Sequence, residues 1–298
     1  MRTIFLLGLL CFAYSCTDPD RTPKVPVETA DVHRYWEAYD RIVATSDTAE
    51  KRHLLRTLFL DPASNGQRRL QEARNYTEDE YLANIASYPK FWASVRENTL
   101  RADELGERIA AGVADLQEIY ACPQPGHFYF GIGAFRTGGT AVDSFVLIGS
   151  ESALTDSTVV TDEFPDGVRA FRKAYYATNP IDRAYKLFVH EYVHTQQHPI
   201  PGNLLYQCLY EGIAEFVCCL ATGEEPDVAV RFGRENRDSV RAVFQQEMFH
   251  EGKRSKWLWS NAPNVFEQRD LGYYVGYAMS EGYYEKATDK REAIRTLV

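Results

Sequence analysis

The chain carries three successive patterns of apolar and polar positions. From position 32 to about 122, apolar residues recur every three or four positions, the period of amphipathic helices. Leu105, Ile109, Val113, Leu116 and Tyr120 form one continuous stripe there. Thr77-x-x-Glu80 ahead of Tyr81 and Leu82 is a helix-start signature, and Pro89 ends the segment it opens. The period then shortens. Residues 127–133 are aromatic and β-branched, and 141–148 form a second strand-like run beyond Gly138-Gly139, which together predict a hairpin over 127–148. After Pro165 helical spacing returns over roughly 166–177, 182–198, 203–222, 226–249 and 270–290, with Gly202, Gly223 and Pro226 at the joins. This order predicts an α+β fold, mostly helical with a small mixed sheet. No repeat or Pro/Gly/Ser linker divides the folded part, which reads as a single domain over 29–298.

Composition adds exclusions. With 298 residues, 45% hydrophobic and 25% charged, the chain fits neither a disordered, a collagen-like nor a multi-span membrane class. It is long enough to hold a core without metal or disulfide. Its 33 Lys+Arg against 42 Asp+Glu give a net charge of −9, which argues against a nucleic-acid partner. Six cysteines are too few for a disulfide scaffold.

The N-terminus suggests a compartment. Arg2, the apolar run over 4–14 and Ser15-Cys16 fit a secretory signal, too short for the roughly twenty residues of a membrane span. Ala13-Tyr14-Ser15-Cys16 resembles a bacterial lipobox. The resemblance implies that residues 1–15 are a lipoprotein signal peptide, that Cys16 is lipidated, and that the chain is membrane-anchored. Thr17 beside it implies sorting to the outer membrane, on the periplasmic or the cell-surface side. Residues 16–28, rich in proline, then read as a tether. Loss of Arg2 takes the net charge from −9 to −10 and leaves Cys122, Cys208, Cys218 and Cys219 in the fold.

The chemistry is concentrated in His190-Glu191-Tyr192-Val193-His194, an HExxH pattern on a predicted helix. Residues four apart lie on one helical face with Cβ atoms about 5–6 Å from each other. Both imidazoles can therefore reach one Zn²⁺ at about 2.0–2.1 Å. Glu191 projects beside such a metal as general base toward water. A catalytic zinc also needs a third protein ligand. His198 shares the face, yet lies about 12 Å along the helix from His190. The histidine that a metzincin places six residues past His194 is here Ile200. Glu211 and Glu215 are better placed, again four apart and in an otherwise apolar helix. Glu211 reads as the third ligand and Glu215 as acceptor for the outer N–H of a ligand histidine. The competing reading puts both glutamates on a solvated face, which their apolar neighbours argue against. Cys208, Cys218 and Cys219 flank this helix and read as small core residues.

HExxH followed by Glu211 and Glu215 resembles the gluzincin pattern. His190-Glu-Tyr-Val-His-Thr-Gln-Gln197, Leu204-Leu205 and Glu211-Gly-Ile-Ala-Glu215-Phe are similar to a family of predicted zinc-dependent proteases that includes bacterial lipoproteins related to gliding-motility lipoproteins. Phe135-Arg-Thr-Gly-Gly-Thr140, Ile148-Gly-Ser-Glu151 and Gly272-Tyr273-Tyr274-Val275-Gly276 extend the likeness over roughly 125–285. The resemblance implies a zincin-like fold, with the small sheet beside the HExxH helix, and a peptidase-type site. In such a fold the sheet edge beside the metal helix takes extended peptide by strand addition, and the 127–148 hairpin is the candidate edge. An oxyanion donor is also required. Tyr273, Tyr274 and Tyr277 are the candidates, with Tyr274 favoured and Arg269 a further possibility.

The sequence thus predicts a lipid-anchored zinc metallopeptidase acting on peptide or protein substrates. Its ligands are His190, His194 and Glu211, with Glu191 and Tyr274 catalytic and Glu215 behind the metal. The rival is a non-enzymatic envelope lipoprotein that uses a zincin-like fold as a docking or assembly module. The intact Glu191 favours the enzyme, because a structural metal has no use for a base beside it.

Overall fold

A computed structural model describes residues 25–121, 123–198, 202–259 and 264–298. The signal peptide, Cys16, most of the tether and Cys122 lie outside the described residues. The chain runs β1 (Val27–Glu28), α1 (Ala30–Val43), α2 (Thr48–Leu55), α3 (Asn65–Arg74), α4 (Glu78–Ser87), α5 (Pro89–Leu100) and α6 (Gly106–Ile119). It continues through β2 (His127–Gly131), β3 (Gly139–Val142), β4 (Phe145–Gly149), α7 (Ser150–Ala153), α8 (Asp166–Tyr176), α9 (Ala184–His194) and α10 (Leu204–Thr222). It closes with α11 (Val228–Glu235), α12 (Arg237–Glu247), α13 (Arg254–Trp257), α14 (Leu271–Lys286) and α15 (Lys290–Leu297). The α+β order follows the sequence pattern. Thr77 caps α4 by accepting from the Glu80 N–H at 3.2 Å, and Pro89 opens α5 at a position where its missing N–H costs nothing.

The strands depart from the predicted hairpin. The run over 141–148 breaks at Asp143, which takes a positive φ of 54°, and becomes the two strands β3 and β4. The hairpin is β3–β4; β2 pairs in parallel with β4, giving the mixed order β1-β2-β4-β3. Val27 and Glu28 pair with Phe128 and Tyr129, so the last residues assigned to the tether belong to the sheet. β3 is an edge strand.

Helices cover the sheet on both faces. Phe128 and Phe130 meet Tyr192 and Phe188 of α9, with ring centroids 5.8 and 5.4 Å apart. On the opposite face Tyr129 fills the space above Gly66 of α3. Val146, Leu147 and Ile148 of β4 are all buried, as expected of a strand covered on both sides. α9 packs in turn on α6 and α10, and α10 on α14. The last contact is close because Gly212 and Gly276 face each other: a Cβ at Gly276 would lie 1.9 Å from the Cys208 carbonyl oxygen. α10 is long and apolar enough to cross a membrane by length and composition. Here it is an internal helix that carries two buried glutamates between α9 and α14.

Two helix limits also differ from the spacing. α9 stops at His194, so His198 lies beyond the helix and is exposed. The helix predicted over 226–249 is divided at Asn236 into α11 and α12.

Candidate metal centre

α9 and α10 bring His190, His194 and Glu211 together at the floor of a cleft of about 1520 Å³. His190 Nε2 and His194 Nε2 are 3.1 Å apart, and Glu211 Oε2 lies 3.5 and 3.4 Å from them. Ligands at about 2.0–2.1 Å from a tetrahedral ion sit roughly 3.3 Å from one another. The donor set therefore has the spacing of three corners of such a site, and all three residues are buried.

The outer hydrogen bonds leave the inner atoms electron-rich. His194 Nδ1 is 2.7 Å from Gln197 Oε1, and the Gln197 amide donates to the Tyr210 carbonyl at 3.1 Å. With the Gln197 amide orientation fixed in this way, the His194 proton belongs on Nδ1. His190 Nδ1 is 3.5 Å from Glu215 Oε2, which favours the same tautomer. Two imidazole lone pairs and a carboxylate oxygen then face one another in a buried space. That combination is suited to holding a positive charge, either a metal ion or the proton of a His190 imidazolium. Burial alone would push the His190 imidazolium down, but Glu211, Glu215 and Glu191 hold it up at about 10. Burial would likewise raise the Glu211 carboxyl, and the two imidazoles overcome this and hold it well below the usual carboxylate range.

Glu215 has a second partner that the sequence reading did not assign. Lys186, one turn before His190, is buried and donates to Glu215 Oε1 at 2.6 Å and to Asp227 Oδ1 at 2.8 Å. The Asp227 N–H donates to the same Glu215 oxygen at 2.8 Å. Glu215 is thereby fixed as an anion, held down to about 2 by His190 and Lys186 despite its burial. Lys186 was readable in principle: it shares the helical face of His190 and His194 and sits among apolar residues.

A second trio, His190, Glu215 and Cys218, also has donor atoms within 4.8 Å of one another. An ammonium already occupies Glu215, and burial pushes the Cys218 thiol well up, away from the thiolate a metal requires. Cys218 and Cys219 are core residues, and Cys208 packs at the α10–α14 crossing. Among the described residues these three cysteines are free thiols.

Glu191 lines the cleft beside the ligands, against β3. A Cβ at Gly139 would fall 2.7 Å from Glu191 Oε1, so glycine is what allows the edge strand this close. Burial pushes the Glu191 carboxyl up, against the pull of His194 and His190. A carboxylate raised towards neutrality is suited to proton transfer.

The tyrosine at the centre is Tyr273, not Tyr274. The Tyr273 ring stacks on His190 with centroids 5.9 Å apart, and its hydroxyl accepts from Trp259 Nε1 at 3.1 Å; burial and the nearby Glu211 carboxylate push that hydroxyl well above its ordinary value. Tyr274 projects the other way and packs over Gly233 of α11, outside the cleft lining. The 100° step between consecutive helical residues separates their directions. Tyr277 lies against Phe216 and Arg234, also away from the ligands. Arg269 lines the cleft mouth, bonded to Asp270. No protein-family model, curated protein or solved structure matches the chain.

Proposed function

We propose that this chain is a zinc-dependent metallopeptidase, held at the outer membrane by lipid on Cys16. The observation that carries the reading is the convergence of His190, His194 and Glu211 at tetrahedral spacing, with Glu191 alongside in a long cleft. Two imidazoles, one carboxylate and an open side toward the cleft suit a catalytic zinc. Zinc at such a site supplies Lewis acidity toward water and a substrate carbonyl. Glu191 takes the proton of the attacking water and returns it to the leaving amine. In this reading Tyr273 donates its hydroxyl to the developing oxyanion, and Glu215 keeps His190 in the required tautomer.

The test is direct. Purified protein should carry about one zinc per chain and cleave members of a peptide library in a chelator-sensitive way. Glu191→Gln should keep the zinc and lose about 10²–10⁴-fold in rate. Full activity in that variant overturns the mechanism. A folded, zinc-loaded protein that cleaves nothing favours the docking or assembly role instead. Anchoring is checked by metabolic labelling with an alkyne fatty acid, which should mark the wild-type chain and not Cys16→Ala.

A further inference from the structure

Six cationic side chains line the cleft: Arg74, Arg136, Arg183, Lys186, Arg231 and Arg269. Most are committed within the protein. Arg136 is paired with Glu80, Arg269 with Asp270, and Lys186 with Glu215 and Asp227. Arg183 donates to the Glu225 carbonyl and lies within 4.0 Å of Asp227. Arg231 is held by the Pro226 carbonyl on the α11 side. Arg74 differs from all of these in partner and position.

Arg74 is the last residue of α3, and its Nε donates to Thr137 Oγ1 at 3.0 Å. Thr137 is buried and also accepts from the Tyr76 hydroxyl at 3.0 Å, so the anchor is itself fixed. The two Nη groups of Arg74 make no hydrogen bond to a described residue. Thr137 stands two residues before Gly139, where β3 touches Glu191. About 7 Å of backbone therefore separates the residue that anchors the arginine from the glycine that touches the base.

A guanidinium fixed through Nε presents its two Nη groups as a planar fork, the shape that binds a carboxylate with two parallel hydrogen bonds. Anchoring on Thr137 also reduces the freedom lost on binding. We propose that Arg74 is a specificity-determining residue that holds a substrate carboxylate close to the scissile bond. The substrates are accordingly acidic peptides, recognised through an aspartate or glutamate side chain or through the chain's own C-terminal carboxylate. The proposal names the substrate class of the metallopeptidase reading and rests on it for the cleavage step, not for binding.

Binding is measured on full-length, zinc-loaded Glu191→Gln protein with fluorescein-labelled peptide pools. One pool contains glutamate, one its glutamine isostere, one lysine, and each is made as the free C-terminal acid and as the amide. The pool that keeps the recognised carboxylate should bind about 10–100-fold tighter than its neutral counterpart. Loss on glutamate-to-glutamine exchange assigns the side chain; loss on amidation assigns the C-terminus. Adding Arg74→Glu should reverse the preference toward the lysine pool, and Arg74→Lys should keep part of the acidic preference. Equal ranking of the pools by the Arg74 wild-type and Arg74→Glu proteins overturns the proposal, as does the absence of binding to every pool. Cleavage by the Glu191 wild-type protein is read separately by mass spectrometry. Cleavage without acidic preference overturns the role of Arg74 alone; acidic preference without cleavage overturns the peptidase reading alone.

Discussion

Lys186 Nζ donates to Glu215 Oε1 across 2.6 Å with both side chains buried, and the opposite oxygen of Glu215 faces His190 Nδ1. The pair ties the first turn of α9 to α10 behind the metal ligands. It balances one of the three carboxylates gathered there. Substituting Lys186 by Met removes the ammonium from the buried Glu215 anion and leaves it only His190 and the Asp227 N–H as partners, a change that costs about 3–5 kcal/mol. Thermal melting should register a fall of at least about 6 °C, and zinc affinity measured against a chelator should weaken about 10–100-fold. Lys186→Arg should recover part of both. An unchanged zinc affinity in Lys186→Met would show that Glu215 does not act through His190.

Gly139 sets the distance between the edge strand and the base. In Gly139→Ala the new methyl meets Glu191 Oε1 at 2.7 Å, and the carboxylate is the softer partner. Displacement on the order of 1 Å reduces kcat/KM about 10²-fold. Zinc content by atomic absorption should stay at the wild-type level, because no ligand is touched.

The two neighbouring tyrosines separate catalysis from packing. Tyr273→Phe should lower kcat about 10²–10³-fold by removing a donor to the oxyanion. Tyr274→Phe should leave kcat near wild type, since its ring lies over Gly233. The opposite ranking in steady-state kinetics would place the oxyanion donor elsewhere.

The metal-free protein should have a distinctive pH profile. Folded His190 holds its proton to about 10, against an ordinary value of 6.5, so its contribution is complete below about 6.5 and is lost as pH rises to about 10. Glu211 and Glu215 lie below the ordinary 4.5, so their contribution is present above that value and is lost as pH falls toward 2. Chelated protein should therefore melt at its highest temperature between roughly pH 4.5 and 6.5. Zinc replaces the His190 proton and should move that optimum to higher pH. A chelated protein whose Tm climbs from pH 6.5 to 10 would contradict the assignment.

The site was legible where its geometry is local. His190 with His194, and Glu211 with Glu215, are each four apart, and a helix places such pairs on one face whatever surrounds it. The helical periods, the Thr77 cap and the Pro89 stop are local in the same sense, and the structure follows them closely. The sequence alone thus determined which side chains point together from one helix, because covalent spacing and the helical repeat decide that. Tertiary structure decided which faces meet. The parallel pairing of β2 with β4, the burial of Lys186 against Glu215 and the seating of Arg74 on Thr137 join residues 18 to 63 positions apart. Tyr273 and Tyr274 are adjacent in the chain, and only the close approach of α14 to α10 at Gly212 and Gly276 turns one of them toward the ligands. Such choices depend on the packing of whole elements, which no spacing within a single segment encodes.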